Sequence, residues 1–325
     1  MHRNAQAGAG SGALALIHFL RCLTTIIGVG VAALTLPQPE AAAHVVCGNR
    51  LFPATLTMDD PGVGDELSLP TIQYLPIPPS ETNPAGHTVD YGVEWDKRIT
   101  RDLAIIFNGD YFTQHGVGQN LHGWDNLTVT LKHELPCFEA HEFVASVGVI
   151  RTFARTGSSQ LINAGAIDNV SSTAPTLYFG KGLGDLPIGY FRPLALTGEA
   201  SWQISDSPRS SPNQWVYSAS LQYSLPYLQQ NVKALEVPEF LTRIIPLVEI
   251  SFTSPAHGLP TGTIAPGILY EADSWQVGVE ALIPANATTR RAQGTGFIAQ
   301  FHLFLDDVLP NSLGRPIFDT SLWGN

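Results

Sequence analysis

Some residues in this chain have types and spacings that could do chemistry. His133, Glu134, Cys137, Glu139, His141 and Glu142 crowd one short stretch. Histidine, cysteine and carboxylate side chains are the ligands that zinc takes. Here the stretch alternates, so His133 and Glu134 point to opposite faces, and residues 136–140 read as a tight turn; no metal site is expected. Glu280 and His302 lie on segments joined by the loop 285–294. Antiparallel pairing would place them opposite or diagonal to each other, a proton-sensitive polar constriction. Hydrolysis would need a Ser–His pair with a polar orienter. His87, His115, His122 and His257 fall in loops, with Asp110 near a strand end, but no spacing among them is specific. Enzymatic activity is not expected.

The elements that carry these residues are written in period two. Val89, Tyr91, Val93 and Trp95 alternate with Asp90, Gly92, Glu94 and Asp96. Leu127, Val129, Leu131, His133 and Leu135 alternate with Asn126, Thr128, Thr130, Lys132 and Glu134. The same pattern recurs to the end of the chain, as in Trp275, Val277, Val279 and Ala281 against Gln276, Gly278, Glu280 and Leu282. Successive side chains on a strand face opposite ways, so each segment has one apolar and one mostly polar face. Candidate strands are 66–76, 88–98, 102–114, 124–135, 141–154, 174–184, 192–205, 213–226, 243–254, 262–272, 274–284 and 295–307. The first is interrupted by Pro70 and Pro76. Most exceed the usual strand of about 5–6 residues, and a tilted strand needs roughly 9–11 to cross a bilayer.

Composition agrees with that length. Charged residues make up 14% of the 325, and only four are lysines. Soluble domains hold about 25% charge, and the exposed face of a soluble sandwich would carry more Lys. The net charge of −11 disfavours a nucleic-acid partner. Residues 1–43 read as a secretion signal: Arg3 and Arg21, the apolar run CLTTIIGVGVAALTL, then Ala41-Ala42-Ala43 as a cleavage site. Its loss removes Cys22 and leaves Cys47 and Cys137, an even number for an oxidising compartment. A Cys47–Cys137 disulfide would pin residues 44–63 against the mouth of a barrel.

The expected fold is therefore all-β: a transmembrane antiparallel up-and-down β-barrel of about 12 strands in a bacterial outer membrane. The domain map is signal 1–43, periplasmic N-terminal segment 44–63, barrel 64–310 and C-terminal tail 311–325. Short links (99–101, 136–140, Asp273) alternate with long ones (155–174 and 285–294 among them), as periplasmic turns alternate with outer loops. The exception is 227–242, which reads as a small helix on the periplasmic rim. Trp95 and Trp275 fall near one set of strand ends and Trp124, Trp202 and Trp215 near the other, where aromatic belts sit. The inward faces would line the lumen with Asp90, Glu94, Thr128, Thr130, Lys132, Glu134, Glu199, Gln203, Gln222, Glu280, Gln300 and His302. Ile106, Phe112, Leu282, Ile298 and Phe304 share those faces, so the lumen is expected to be partly filled and semi-apolar. Wide water-filled pores use about 16–18 strands.

The runs PGILYEADSWQVGVEALIPAN and GFIAQFHLFLDDVLP, within 266–310, resemble the last strands of an outer-membrane barrel family named after the meta-pathway of phenol degradation. DPGVGDELSLPTIQY at 60–74, QYSLPYLQQ and RIIPLVEISF, within 222–252, resemble it too. The resemblance implies a transporter of aromatic or hydrophobic small molecules, with no cofactor. Its partners would be outer-membrane lipid, the solute and the barrel-assembly machinery. The chain departs from the pattern in running on to Asn325, where such barrels usually close on an aromatic residue; Phe318 and Trp323 lie nearby. A narrow conduit is the leading expectation, a non-conducting structural barrel the second, and an outer-membrane hydrolase the third.

Overall fold

The computed structural model describes residues 45–318 except 82, 83, 117 and 119. The signal at 1–43 and Trp323 lie outside the described residues. Strands β1 (Val45–Cys47) and β2 (Arg50–Phe52) form a small hairpin by themselves. The main sheet follows as β3 (Glu66–Ile77), β4 (Gly86–Arg98), β5 (Leu103–His115), β6 (Leu121–Trp124), β7 (Thr128–Glu134), β8 (Phe143–Thr152) and β9 (Ser172–Gly182). It continues as β10 (Leu194–Ser205), β11 (Gln214–Tyr223), β12 (Ile244–Pro255), β13 (Thr261–Glu271), β14 (Trp275–Pro284) and β15 (Gly296–Phe304). Every pairing is antiparallel, β15 returns to β3, and β4 pairs with β5, so the sheet closes. Because β6 and β7 both pair with β5, they are two halves of one stave, and the barrel has twelve staves.

Every stave matches a segment of the period-two map to within about three residues at each end. Two departures have physical causes. The stave expected over 124–135 breaks at 125–127, because its polar groups turn to the loop 153–171. Asn126 Nδ2 donates to the Asp168 carbonyl at 2.6 Å, and Leu127 N donates to Thr156 Oγ1 at 2.8 Å. In β3 the register shifts between Ser68 and Thr71, a bulge that contains Pro70, which has no N–H for the ladder. The 227–242 segment contains two short helices, α2 (Leu225–Asn231) and α3 (Glu239–Thr242). Ser224 caps the first by accepting from Tyr227 N. The other helices are α1 (Ser159–Ala164), α4 (Ala287–Ala292) and α5 (Leu305–Val308).

The outer surface is apolar. Leu131, Leu177, Leu221 and Ile268 each leave about half their area uncovered, and Val147, Val248, Val277 and Val279 are comparably bare. Aromatic rings pair across strands at both ends. Trp202 and Trp215 lie 5.0 Å apart at the long-loop end, and Trp275 sits between Tyr270 (5.5 Å) and Phe301 (5.9 Å) at the short-turn end. The tail folds back onto the short-turn end: Ile317 N donates to Arg98 O at 3.0 Å and Phe318 N to Ile99 O at 2.8 Å.

Candidate functional site

The lumen holds a piece of the chain itself. Cys47 is bonded to Cys137, with Cα atoms 5.9 Å apart, which ties the β1–β2 hairpin to the turn between β7 and β8. Arg50 is 1% exposed; it reaches Glu142 and donates to the carbonyls of Arg192, Pro193 and Leu194, with the Tyr227 ring 3.9 Å from its guanidinium. Burial pushes this arginine below its ordinary pKa, while Glu142 and Tyr227 act the other way. Residues 53–65 then run between the inner faces of the staves.

This inserted segment is held by side chains from around the wall. Leu56 packs with Ile245, Leu247, Ala265, Leu269, Leu282 and Ile298. Glu249 accepts from Thr57 N at 2.8 Å and from the Thr57 hydroxyl. Gln276 donates to Ala54 O at 2.7 Å, Ser146 to Pro61 O at 2.6 Å, and Val63 N to Glu134 at 3.0 Å. Asp65 is fully buried between Lys97 and Arg98. Two glycines make room for it. A Cβ on Gly180 would stand 2.8 Å from Pro61 and 2.9 Å from Phe52, and one on Gly278 would stand 2.5 Å from Leu56. Fixed backbone carbonyls and amides inside the barrel thus find partners, as buried polar groups must.

Lys132 is the electrostatic centre. Its ammonium is 1% exposed and lies 2.9 Å from Asp59 Oδ2, 2.7 Å from the Asp60 carbonyl and 3.3 Å from Asp60 Oδ1, over the Tyr178 ring at 4.6 Å. Burial pushes the Asp59 carboxyl above its ordinary pKa, and Lys132 pulls against that. Beside it, His302 Nδ1 shares a 2.7 Å hydrogen bond with Ser68, and His302 Nε2 lies 3.0 Å from Glu66.

Two cavities flank these groups. One, of about 260 Å³, lies between the inserted segment and the wall and is lined by Asp59, Asp60, Glu66, Glu94, Glu199 and Gln300 among others. The other, of about 400 Å³, is nearer the long loops. Asp90, Asp110 and Asp125 line it together with Phe112, Ile167 and Ile298. The loop 153–171 turns inward there, burying Leu161 and Ile167 against Leu121 and Phe112.

The residues expected along the lumen differ in burial. Thr130, Lys132, Gln222, Glu280, Gln300 and His302 are buried, while Asp90, Glu94, Thr128, Glu134, Glu199 and Gln203 are half-buried. Several only knit the wall: Thr128 bonds Thr152 (3.1 Å), Gln203 bonds Ser172 (2.9 Å) and Gln222 bonds Thr197 (3.3 Å). The expected Glu280–His302 meeting does not occur. Glu280 pairs with Ile298 in register, while His302 pairs with Gln276, four residues along β14, or about 13 Å at the usual strand rise. Glu280 lies beside Glu249 instead. Sequence reasoning missed Asp59, Asp60, Glu66 and Glu249. Only Glu249 carried a signal, being in phase with Ile245 and Leu247 on β12.

No family model and no curated protein matches the chain. Solved structures with a similar trace include the KdgM porin (11% identity, TM-score 0.43, covering 73% of this chain and 98% of that one). A second KdgM porin structure, in complex with disordered oligogalacturonate, gives 11% identity and a TM-score of 0.42, covering 72% and 98%. An outer membrane channel from Pseudomonas putida F1 gives 14% identity and a TM-score of 0.48, covering 78% and 99%.

Proposed function

We propose that the protein is a narrow outer-membrane conduit for small solutes, its bore set by residues 53–65 from one end and the loop 153–171 from the other. The observation that carries this reading is the pair of carboxylate-lined cavities inside a closed barrel whose outer surface is apolar. A band of exposed Leu, Ile and Val with aromatic rings at both ends suits a bilayer, where a charge at the midplane would cost ~2–4 kcal/mol. The short-turn end, with the Val45–Phe52 hairpin and Phe318 beside it, is then periplasmic. The chain would reach the membrane as a secreted precursor cut after residue 43 and folded by the barrel-assembly machinery.

The lining bears on the solute. The outer cavity sets Phe112, Ile167 and Ile298 beside Asp90, Asp110 and Asp125. This suits a small solute with an apolar or aromatic body and a neutral hydrogen-bonding or cationic end, and it disfavours anions. The runs within 266–310 and at 60–74 support membership of the phenol meta-pathway barrel family. A structural, non-conducting barrel is the second reading, favoured by the dense hydrogen bonding of the inserted segment. Flux into proteoliposomes separates them. Phenol and a small aryl ammonium should enter faster than benzoate; entry of none of the three above empty liposomes would leave the structural barrel standing.

A further inference from the structure

We infer that Asp59, Glu94 and Asp96 form a site for one hard divalent cation of the calcium type, shared between the inserted segment and the barrel wall. One carboxylate from each residue offers an oxygen, and the three oxygens all lie within 4.8 Å of one another. Calcium binds oxygen at about 2.3–2.6 Å, so two oxygens on opposite sides of one ion stand up to roughly 5 Å apart; magnesium, at about 2.0–2.1 Å, tolerates only about 4.2 Å. Oxygens this close can share one ion, and because magnesium keeps several waters, a set of carboxylates supplied by the protein suits the larger ion.

Two observations besides the cluster point to a ligand. Asp96 is 6% exposed, yet its side chain joins no hydrogen bond or ion pair among the described residues. Gln300 is 9% exposed and lines the cavity that Asp59 and Glu94 also line. Its amide nitrogen donates to Thr71 Oγ1 at 3.0 Å, and its carbonyl oxygen is buried without a partner. Amide oxygens are among calcium's usual ligands. The local charge also asks for a cation. Lys132 is spent on Asp59 and Asp60, and His302 on Glu66. Among the described residues Glu94 receives one hydrogen bond, from Asn108, and no ion pair, and Asp96 receives neither. A buried carboxylate left this way, as Asp96 is, is costly until an opposite charge joins it. Because Asp59 belongs to the inserted segment while Glu94 and Asp96 belong to β4, the ion would clasp the segment to the wall.

This inference does not rest on conduction, and its test measures none. Calorimetric titration of chelator-stripped, detergent-solubilised protein with calcium chloride should show one site per chain, with magnesium chloride binding at least tenfold more weakly. Glu94→Gln and Asp96→Asn should each weaken calcium at least tenfold, while Asp110→Asn in the other cavity should not. Resistance of each variant to unfolding by SDS before heating shows that its barrel is intact, and Glu94→Asp, which keeps the charge, should retain binding better than Glu94→Gln if Asp96→Asn does not fold. Absence of saturable calcium binding by the wild-type protein, or equal binding by Glu94→Gln, would overturn the site.

Discussion

Replacing Lys132 with Gln should loosen the inserted segment without opening the barrel. The ammonium is buried, and all three of its oxygen neighbours, Asp59 Oδ2, Asp60 O and Asp60 Oδ1, lie on the segment at 2.7–3.3 Å. Removing one partner of a buried ion pair costs about 3–5 kcal/mol, because the other charge is left uncompensated. Glutamine can still donate one hydrogen bond, so the lower figure applies. About 3 kcal/mol is roughly a hundredfold in an equilibrium constant. Thr57 N and Val63 N, whose acceptors are wall carboxylates, report the change. Hydrogen exchange followed by mass spectrometry should show peptides across 53–65 exchanging about a hundredfold faster in the variant, with β12–β14 peptides unchanged. Adding Asp59→Asn and Asp60→Asn should restore much of the protection, since no buried charge is then stranded. Exchange across 53–65 within threefold of wild type would refute the assignment of Lys132 as the main tether.

Other outcomes follow from the same geometry. Gly278→Leu should also speed exchange across 53–65, because a side chain there meets Leu56; unchanged exchange would show that the space is not needed. Unreduced protein lacking residues 1–43 should alkylate no cysteine even when unfolded, and two modified thiols by mass spectrometry would contradict the Cys47–Cys137 bond. Asp307, on α5, is buried and pushed up to about 6, first by desolvation and then by Asp273. A carboxyl raised in the fold stabilises most below its unfolded value of about 3.9 and loses that contribution as pH climbs to about 6. Asp307→Asn should therefore flatten the denaturant midpoint between about pH 4 and 6, and an unchanged slope there would count against it. Asp90→Asn with Asp110→Asn should lower cation over anion selectivity, read as a reversal potential under a salt gradient; no change would remove the outer cavity from the path.

The staves were legible because one face of each meets lipid and the other does not, which writes period two over every one of them, from Val89 to Leu303. The break at 125–127 left no such mark, since Asn126 keeps the phase of the stave while its amide serves the loop at 168. The disulfide was readable from cysteine arithmetic alone, yet the path of the segment it anchors was not. Leu56, Thr57, Asp59 and Val63 have no period, because their coil crosses the lumen, Leu56 and Thr57 meeting β12 and Asp59 and Val63 meeting β7. Lys132 could be placed inside, but its partners lie far away in sequence, on a coil. The Glu280–His302 expectation failed on distance: pairing across the 285–294 loop fixes which residues are opposite, and four positions of offset exceed any diagonal neighbour.

The central claim is that the inserted segment sets the bore. Single-channel recording in planar bilayers tests it most directly, comparing the protein lacking residues 1–43 with a version that also lacks 44–63, both shown to resist SDS before heating. The intact form should give small, cation-preferring steps and the shortened form steps several-fold larger. Equal conductance in the two, or anion preference in the intact form, would contradict the account.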